Sequence, residues 1–238
     1  MINQVVITAG GEGRRLRPLT NDMPKVMLPI LGKPLLEHHI EQFKKHGVKE
    51  FFFTLHYLPE VIKNYFGSGK KWGVKINYFI EKKSLGTAGA LKKFAKQLDN
   101  NFFYIYGDMI SLVDYAQMQK VFKQKKGALG MQRVGALTAR ADADSVELDE
   151  EGLFKKIHKK GDTKPPTQTF RQRGVFILNK KILDYVPADE PADLGNQILP
   201  RVISAGEKFY GYQCDDYSQG IDTLEKLRAV ESYLRIHQ

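Results

Sequence analysis

The sequence holds one cysteine, Cys214, and one tryptophan in 238 residues. A lone thiol closes no internal disulfide, and the six histidines never fall at metal-ligand spacing with it, so neither a disulfide scaffold nor a structural zinc centre is expected. Long apolar runs are missing too: none approaches the ~18 residues of a membrane span. The opening MINQVVITAGGEG has neither the basic start nor the apolar stretch of a signal peptide, and a cytoplasmic protein is expected. Acidic residues are in short supply, 27 against 37 Lys and Arg, for a formal charge of +10. Such a surplus points to a polyanionic partner, either nucleic acid or a phosphorylated small molecule. The basic pairs at 44–45, 70–71, 92–93 and 125–126 are scattered, with no strip interleaved with aromatics, which argues against nucleic acid.

What is present is an alternation. QVVIT at 4–8 is short, β-branched and apolar and runs straight into glycines, which predicts a strand and then a loop. From Pro34 onward Leu35, Leu36, His39, Ile40 and Phe43 fall at helical spacing, with proline at the start and Gly47 past the end. Further strands are predicted at 50–55, 74–80 and 101–106, and helices over 59–66, 87–98 and 113–125. Strands alternating with helices predict an α/β fold, a Rossmann-like and mainly parallel sheet with helices on both faces, whose ligands bind beyond the carboxyl ends of the strands. The second half is less regular. Short strands at 145–148, 154–158 and 171–178 predict a small mixed β extension, followed by helices over 194–205 and 223–235.

The most informative segment is ITAGGEGRRLRPLT. Gly10, Gly11 and Gly13 follow the first strand at once, where missing side chains let backbone N–H groups approach a phosphate, and Arg15 adds a permanently charged donor fork. A plain turn would use the same glycines. Neither common nucleotide fingerprint fits: Leu16 stands where GxGxxG needs its third glycine, and Gly32 and Lys33 are followed by Pro34 rather than Ser or Thr. With its continuation, PLTNDMPKVMLPILGKPLLEHHI, the segment resembles the opening motif of the sugar-1-phosphate nucleotidylyltransferases, GGxGxRLxPLT followed by a proline–lysine segment and GKPLIE. Val26 stands where that family commonly has proline. The resemblance continues through SLGTAGAL at 84–91, YGD at 106–108 and GIDT at 220–223, and ADLGNQILPRVISAGEKFYGY is similar to the mannose and heptose guanylyltransferase group. It implies the nucleotide-diphospho-sugar transferase type of fold in one catalytic domain over 1–238. The nucleotide-binding half is expected at about 1–135 and the sugar-phosphate-binding half at about 136–238, with no C-terminal β-helix of hexapeptide repeats.

The implied activity is transfer of a nucleotidyl group, from GTP in preference, to a mannose- or heptose-type sugar 1-phosphate. Uridylyl or thymidylyl transfer to another hexose phosphate is the near alternative, and a nucleotide-sensing regulatory protein the distant one. Because the nucleophile is already an anion, such a site needs cations and alignment rather than a general base. The resemblance assigns Arg15 to the triphosphate and Lys25 to the meeting point of the α-phosphate and the sugar phosphate. It assigns Gly86 and Thr87, with Glu81 just before them, to the nucleotide. A carboxylate at Glu81 suits the N–H donors of guanine. Asp108 and Asp222 are implied as ligands of Mg2+, an ion that prefers carboxylate and phosphate oxygen and keeps several waters. Asp108 would equally cap a turn and Asp222 a helix N-terminus, and Asp215 and Asp216 are nearby substitutes. Glu147, Lys160 and Gln172 are implied for the sugar phosphate; Lys159 and Gly161 depart from the family's EKP element. The partners implied are an NTP and a sugar 1-phosphate, with no nucleic acid and no membrane, and assembly into a homo-oligomer stays open.

Overall fold

The structure is a computed structural model and describes residues 1–136, 144–159 and 169–237. Along the chain, β1 (Gln4–Thr8) leads into the glycine-rich loop. A tight hairpin follows, β2 (Pro29–Ile30) and β3 (Lys33–Pro34), turning through Leu31 and Gly32 with positive φ at both. Next come α1 (Leu35–Lys45), β4 (Glu50–Leu55), α2 (Pro59–Phe66) and β5 (Lys75–Ile80). A single helical turn, α3 (Gly86–Gly89), precedes β6 (Asn101–Tyr106), β7 (Met109–Ser111) and α4 (Tyr115–Gln124). Then follow β8 (Ala128–Ala136), β9 (Ser145–Leu148), β10 (Phe154–His158) and β11 (Thr169–Asn179). The chain ends with α5 (Leu199–Ser204), β12 (Lys208–Gln213), β13 (Ser218–Gly220) and α6 (Leu224–His237). None of these helices among the described residues is long and apolar enough to cross a membrane.

By compactness the chain divides into two interleaved units. Unit 1 comprises Met1–Ser84, Ile105–Leu112 and Tyr217–Gln238; unit 2 comprises Leu85–Tyr104 and Val113–Asp216. In unit 1, β1, β4 and β5 lie side by side, all parallel, with Gln4 opposite Glu50 and Glu50 opposite Lys75. Phe51, Phe52 and Phe53 are fully buried, as a strand covered on both faces requires. The apolar stripe of α1 is buried along its whole length, and His39 is buried with it. A second apolar cluster in this unit joins Leu16, Leu28, Ile30, Leu35, Ile110, Ile221, Leu227, Val230 and Leu234.

Unit 2 contains the mixed strands. β8 pairs antiparallel with β11 and parallel with β12, and β9 pairs antiparallel with both β10 and β11. Two predicted helices are cut short here. The stretch expected to be helical over 87–98 is one α-turn followed by a 3-10 turn, Ala90–Phe94, because GTAG is poor helix sequence and the Ala88 N–H is drawn to the Ala192 carbonyl, 2.8 Å away. The helix expected from Leu194 starts as a π-turn, Leu194–Ile198, in which Ile198 N–H reaches back to Asp193, and Pro200 supplies no N–H to continue an α ladder.

Candidate functional site

In unit 1 the carboxyl ends of the parallel strands carry the charged residues that the motif names. β1 runs into Gly10, Gly11 and Gly13. Gly13 has φ +64, and a side chain there would stand 3.0 Å from Lys25 Cβ and from Thr20 Cγ2. Its carbonyl accepts from Leu16 N–H at 2.8 Å and from the Thr20 hydroxyl at 2.9 Å, which closes the turn that carries Arg15. Gly11 faces open space, and Gly10 lies against His56, the first residue past β4. The His56 Nδ1 is 2.9 Å from the Glu81 carbonyl, and Glu81 N–H donates to Leu55 at 2.7 Å, so Glu81 follows β5 in fixed backbone with only 6% of its surface exposed.

Lys25 sits in a short 3-10 turn, Lys25–Met27, and is 9% exposed. Its ammonium lies 2.5 Å from Asp108 Oδ2. Asp108 follows β6 after the single residue Gly107, and its backbone carbonyl accepts from Ile221 N–H at 2.9 Å. That bond continues the antiparallel pairing of β7 with β13, in which Met109 stands opposite Gly220, and so brings Asp222 alongside Asp108. The Asp222 carboxylate holds a cation on each oxygen: Arg15 Nη2 at 2.8 Å on Oδ2 and Lys226 Nζ at 3.0 Å on Oδ1. Burial alone would raise its pKa. The Lys226 hydrogen bond and the positive charges of Lys226 and Arg15 outweigh that effect and hold the carboxyl below its ordinary value. Helix capping is not its task, because the Thr223 hydroxyl accepts from Lys226 N–H at 3.3 Å and Thr223 itself caps α6.

Three cations and two carboxylates thus converge in one unit. The second apolar cluster seats them: Leu16 anchors the turn of Arg15, Leu28 follows that of Lys25, Ile110 lies two residues past Asp108 and Ile221 immediately before Asp222. Two carboxylates give a hard-oxygen donor set suited to Mg2+, which takes its remaining ligands from water and phosphate. Among the described residues no cluster of three or more His, Cys, Asp or Glu forms a fuller metal cage. Arg15 and Lys226 reach Asp222 with side chains 70% and 42% exposed.

In unit 2 the Thr87 hydroxyl donates to Asp193 Oδ2 at 2.9 Å and accepts from Leu194 N–H at 2.7 Å, while its carbonyl accepts from Tyr104. Side chain and carbonyl are both engaged inside the unit, beside Gly86 at the start of α3. Glu147 lies on β9 with its Oε1 3.3 Å from His158 Nε2 of β10. The register puts Glu147 level with Lys156 and Thr169, and Ser145 level with His158 and Arg171, so these six share one face of the three strands. Gln172 alternates to the opposite face, so the structure does not bring it to Glu147. Lys160 lies outside the described residues. Three polar neighbours escaped the motif reading: Lys226, His39 and His158. Each left a trace in the sequence, Lys226 as the i+4 partner of Asp222, His39 as a polar residue in an apolar helix stripe, and His158 as an imidazole closing a predicted strand.

An α/β unit with a glycine-turned first strand, and with lysine, arginine and paired aspartates past its strand ends, defines a phosphate-handling protein of the nucleotide-binding class. The chain belongs to the nucleotidyl transferase family, whose model matches residues 4–228. It is 30% identical to a UTP–glucose-1-phosphate uridylyltransferase of Synechocystis sp., over 96% of this chain and 63% of that protein. It thus spans less than two thirds of that relative's length. It is also 30% identical to the D-glycero-alpha-D-manno-heptose 1-phosphate guanylyltransferase of Aneurinibacillus thermoaerophilus, over 98% of both chains. The crystal structure of HddC from Yersinia pseudotuberculosis complexed with GMP-PN is similar with a TM-score of 0.79 and 25% identity, covering 98% of this chain and all of that one.

Proposed function

We propose that the chain transfers a nucleotidyl group from an NTP, GTP in preference, to a mannose- or heptose-type sugar 1-phosphate, releasing pyrophosphate. The observation that carries the reading is the convergence of Arg15, Lys25 and Lys226 on Asp108 and Asp222 in unit 1. A phosphate oxygen of the sugar 1-phosphate attacks the α-phosphorus, a new P–O bond forms, and the bond to the β-phosphate oxygen breaks with its electron pair leaving on pyrophosphate. The obstacle is repulsion between two polyanions, and positioned cations remove it. Lys25 is held where one ammonium neutralises the reacting phosphates, and Arg15 offers its guanidinium to the departing pyrophosphate. Asp108 and Asp222 would hold Mg2+, which when bound neutralises and orients phosphate oxygens. Gly10, Gly11 and Gly13 give backbone access to phosphate, and Glu81, past β5 in the same unit, is assigned to the nucleotide.

Guanine is favoured because a relative matched over 98% of both chains carries a guanylyltransferase name and because the Glu81 carboxylate is a group that accepts from N–H donors. Sugar recognition is assigned to the polar face around Glu147, within a second half beginning near residue 136, with Lys160 on the sugar phosphate; Gln172 stands apart from that face. The proposed donor, an NTP, is a cytoplasmic metabolite, which supports a cytoplasmic location. Lys25→Met tests the reading directly. It is expected to lower kcat at least about a hundredfold in a pyrophosphate-release assay, the scale of one removed electrostatic donor. Unchanged turnover would remove Lys25 from the reaction.

A further inference from the structure

We infer that His39 is a positioning residue that fixes the backbone from which Asp108 reaches Lys25 and the metal. The inference rests on the proposed phosphoryl chemistry only for the metal. His39 lies on α1 with no surface exposed, in the stripe otherwise made of Leu35, Leu36, Ile40 and Phe43. Its Nε2 stands 3.2 Å from the Gly107 carbonyl. A carbonyl only accepts, so the ring donates to Gly107 from Nε2; it also feels the Met109 backbone, and Nδ1 makes no well-formed hydrogen bond. An apolar side chain would avoid the cost of burying an imidazole, and the bond donated to Gly107 offsets that cost.

The bond acts on one peptide. Gly107 N–H donates to the Thr8 carbonyl at 2.9 Å, and a side chain at Gly107 would collide with that same oxygen, so the backbone has no room to shift towards β1. On its other side the Asp108 carbonyl is held by Ile221 N–H. Thr8, His39 and Ile221 therefore fix three successive groups of the Gly107–Asp108 backbone, and His39 is the one side chain among these three. The donor, not the ring, is what the position needs. A glutamine amide nitrogen stands as many bonds from Cβ as Nε2 does and reaches the same carbonyl.

Two readouts on the full chain test this, with the fold checked by thermal melting. Hydrogen exchange of the peptide covering 105–112 is expected to speed up at least about tenfold in His39→Leu and to stay within about threefold of wild type in His39→Gln. Free Mn2+ measured by electron paramagnetic resonance is expected to show affinity about tenfold weaker in His39→Leu and restored in His39→Gln. Should His39→Leu not fold, His39→Asn, whose amide falls one bond short of Gly107, takes its place. Equal exchange over 105–112 in wild type and in the donor-lacking variant, or an increase spread evenly over α1 and β1, would overturn the inference. Wild type that binds no Mn2+ and releases no pyrophosphate would overturn the proposed function, and the exchange result would still decide the role of His39.

Discussion

Asp222 is the residue through which the charged site is most easily perturbed, because two cations share its carboxylate. An ordinary i,i+4 pair on an exposed helix is worth about 0.5 kcal/mol, and if Lys226 did no more than that, Lys226→Met would change little besides a small loss of stability. As a third cation at the proposed phosphate site, Lys226 has a different signature. Lys226→Met is expected to raise KM for the NTP about five- to tenfold in steady-state kinetics while the melting temperature stays nearly constant. His39 gives a separate expectation at equilibrium. Burial pushes its pKa down from 6.5 to about 4, so the fold holds the neutral imidazole. This contribution to stability is complete above pH 6.5 and is lost as pH falls from about 6.5 towards about 4, up to about 3 kcal/mol. Urea unfolding across that window should show the loss in wild type and a flatter profile in His39→Gln; identical slopes would mean that His39 titrates normally. Arg15, Lys25, Asp108 and Asp222, which the structure pairs, were singled out in the sequence because contiguous motifs carry them. His39 and Lys226 were not, since their roles arise from where α1 and α6 place them.

At the scale of elements, the junctions between strand and loop aim the site. Gly107 joins β6 to β7 with no space for a side chain, so Gly107→Ala forces overpacking against Thr8 and is expected to cost about 3 kcal/mol and to abolish turnover. Ile221, fully buried beside Asp222, belongs to the cluster that seats all four charged segments, and Ile221→Ala is expected to cost about 2–5 kcal/mol. Unaltered urea midpoints in both variants would contradict this packing. The strands β1, β4, β5, β6, β9 and β10 stand where apolar and β-branched runs predict them. β8 and β12 were missed because ALGMQRVGA buries Gln132 and Arg133 and KFYGYQ carries Gly211 at its centre, so neither shows clean alternation. Arg133 is tolerated there because its guanidinium binds Cys214 Sγ at 3.1 Å and the backbone carbonyls of Cys214 and Asp216. The two shortened helices failed for the converse reason: helical spacing was present, but Gly86, Gly89 and Pro200 and the tertiary hydrogen bonds at Ala192 and Asp193 overrode it.

For the whole molecule, the +10 charge has a local meaning at Arg15, Lys25 and Lys226, where three cations face two carboxylates; most of the remaining surplus is dispersed lysine. The family was legible from the order of its motifs along the chain. The choice of sugar was not, because the residues proposed for it lie on β9 and β11, where a one-residue alternation separates Gln172 from Glu147. The most direct measurement is pyrophosphate release by the purified chain with Mg2+, each NTP being paired with each of a set of hexose and heptose 1-phosphates. GTP with a manno-configured hexose or heptose 1-phosphate is expected to give a kcat/KM at least about a hundredfold above any other pair, with the GDP-sugar formed in equal amount. Preference for UTP or dTTP would contradict the reading of Glu81, and no turnover with any pair would contradict the assignment of the site to nucleotidyl transfer.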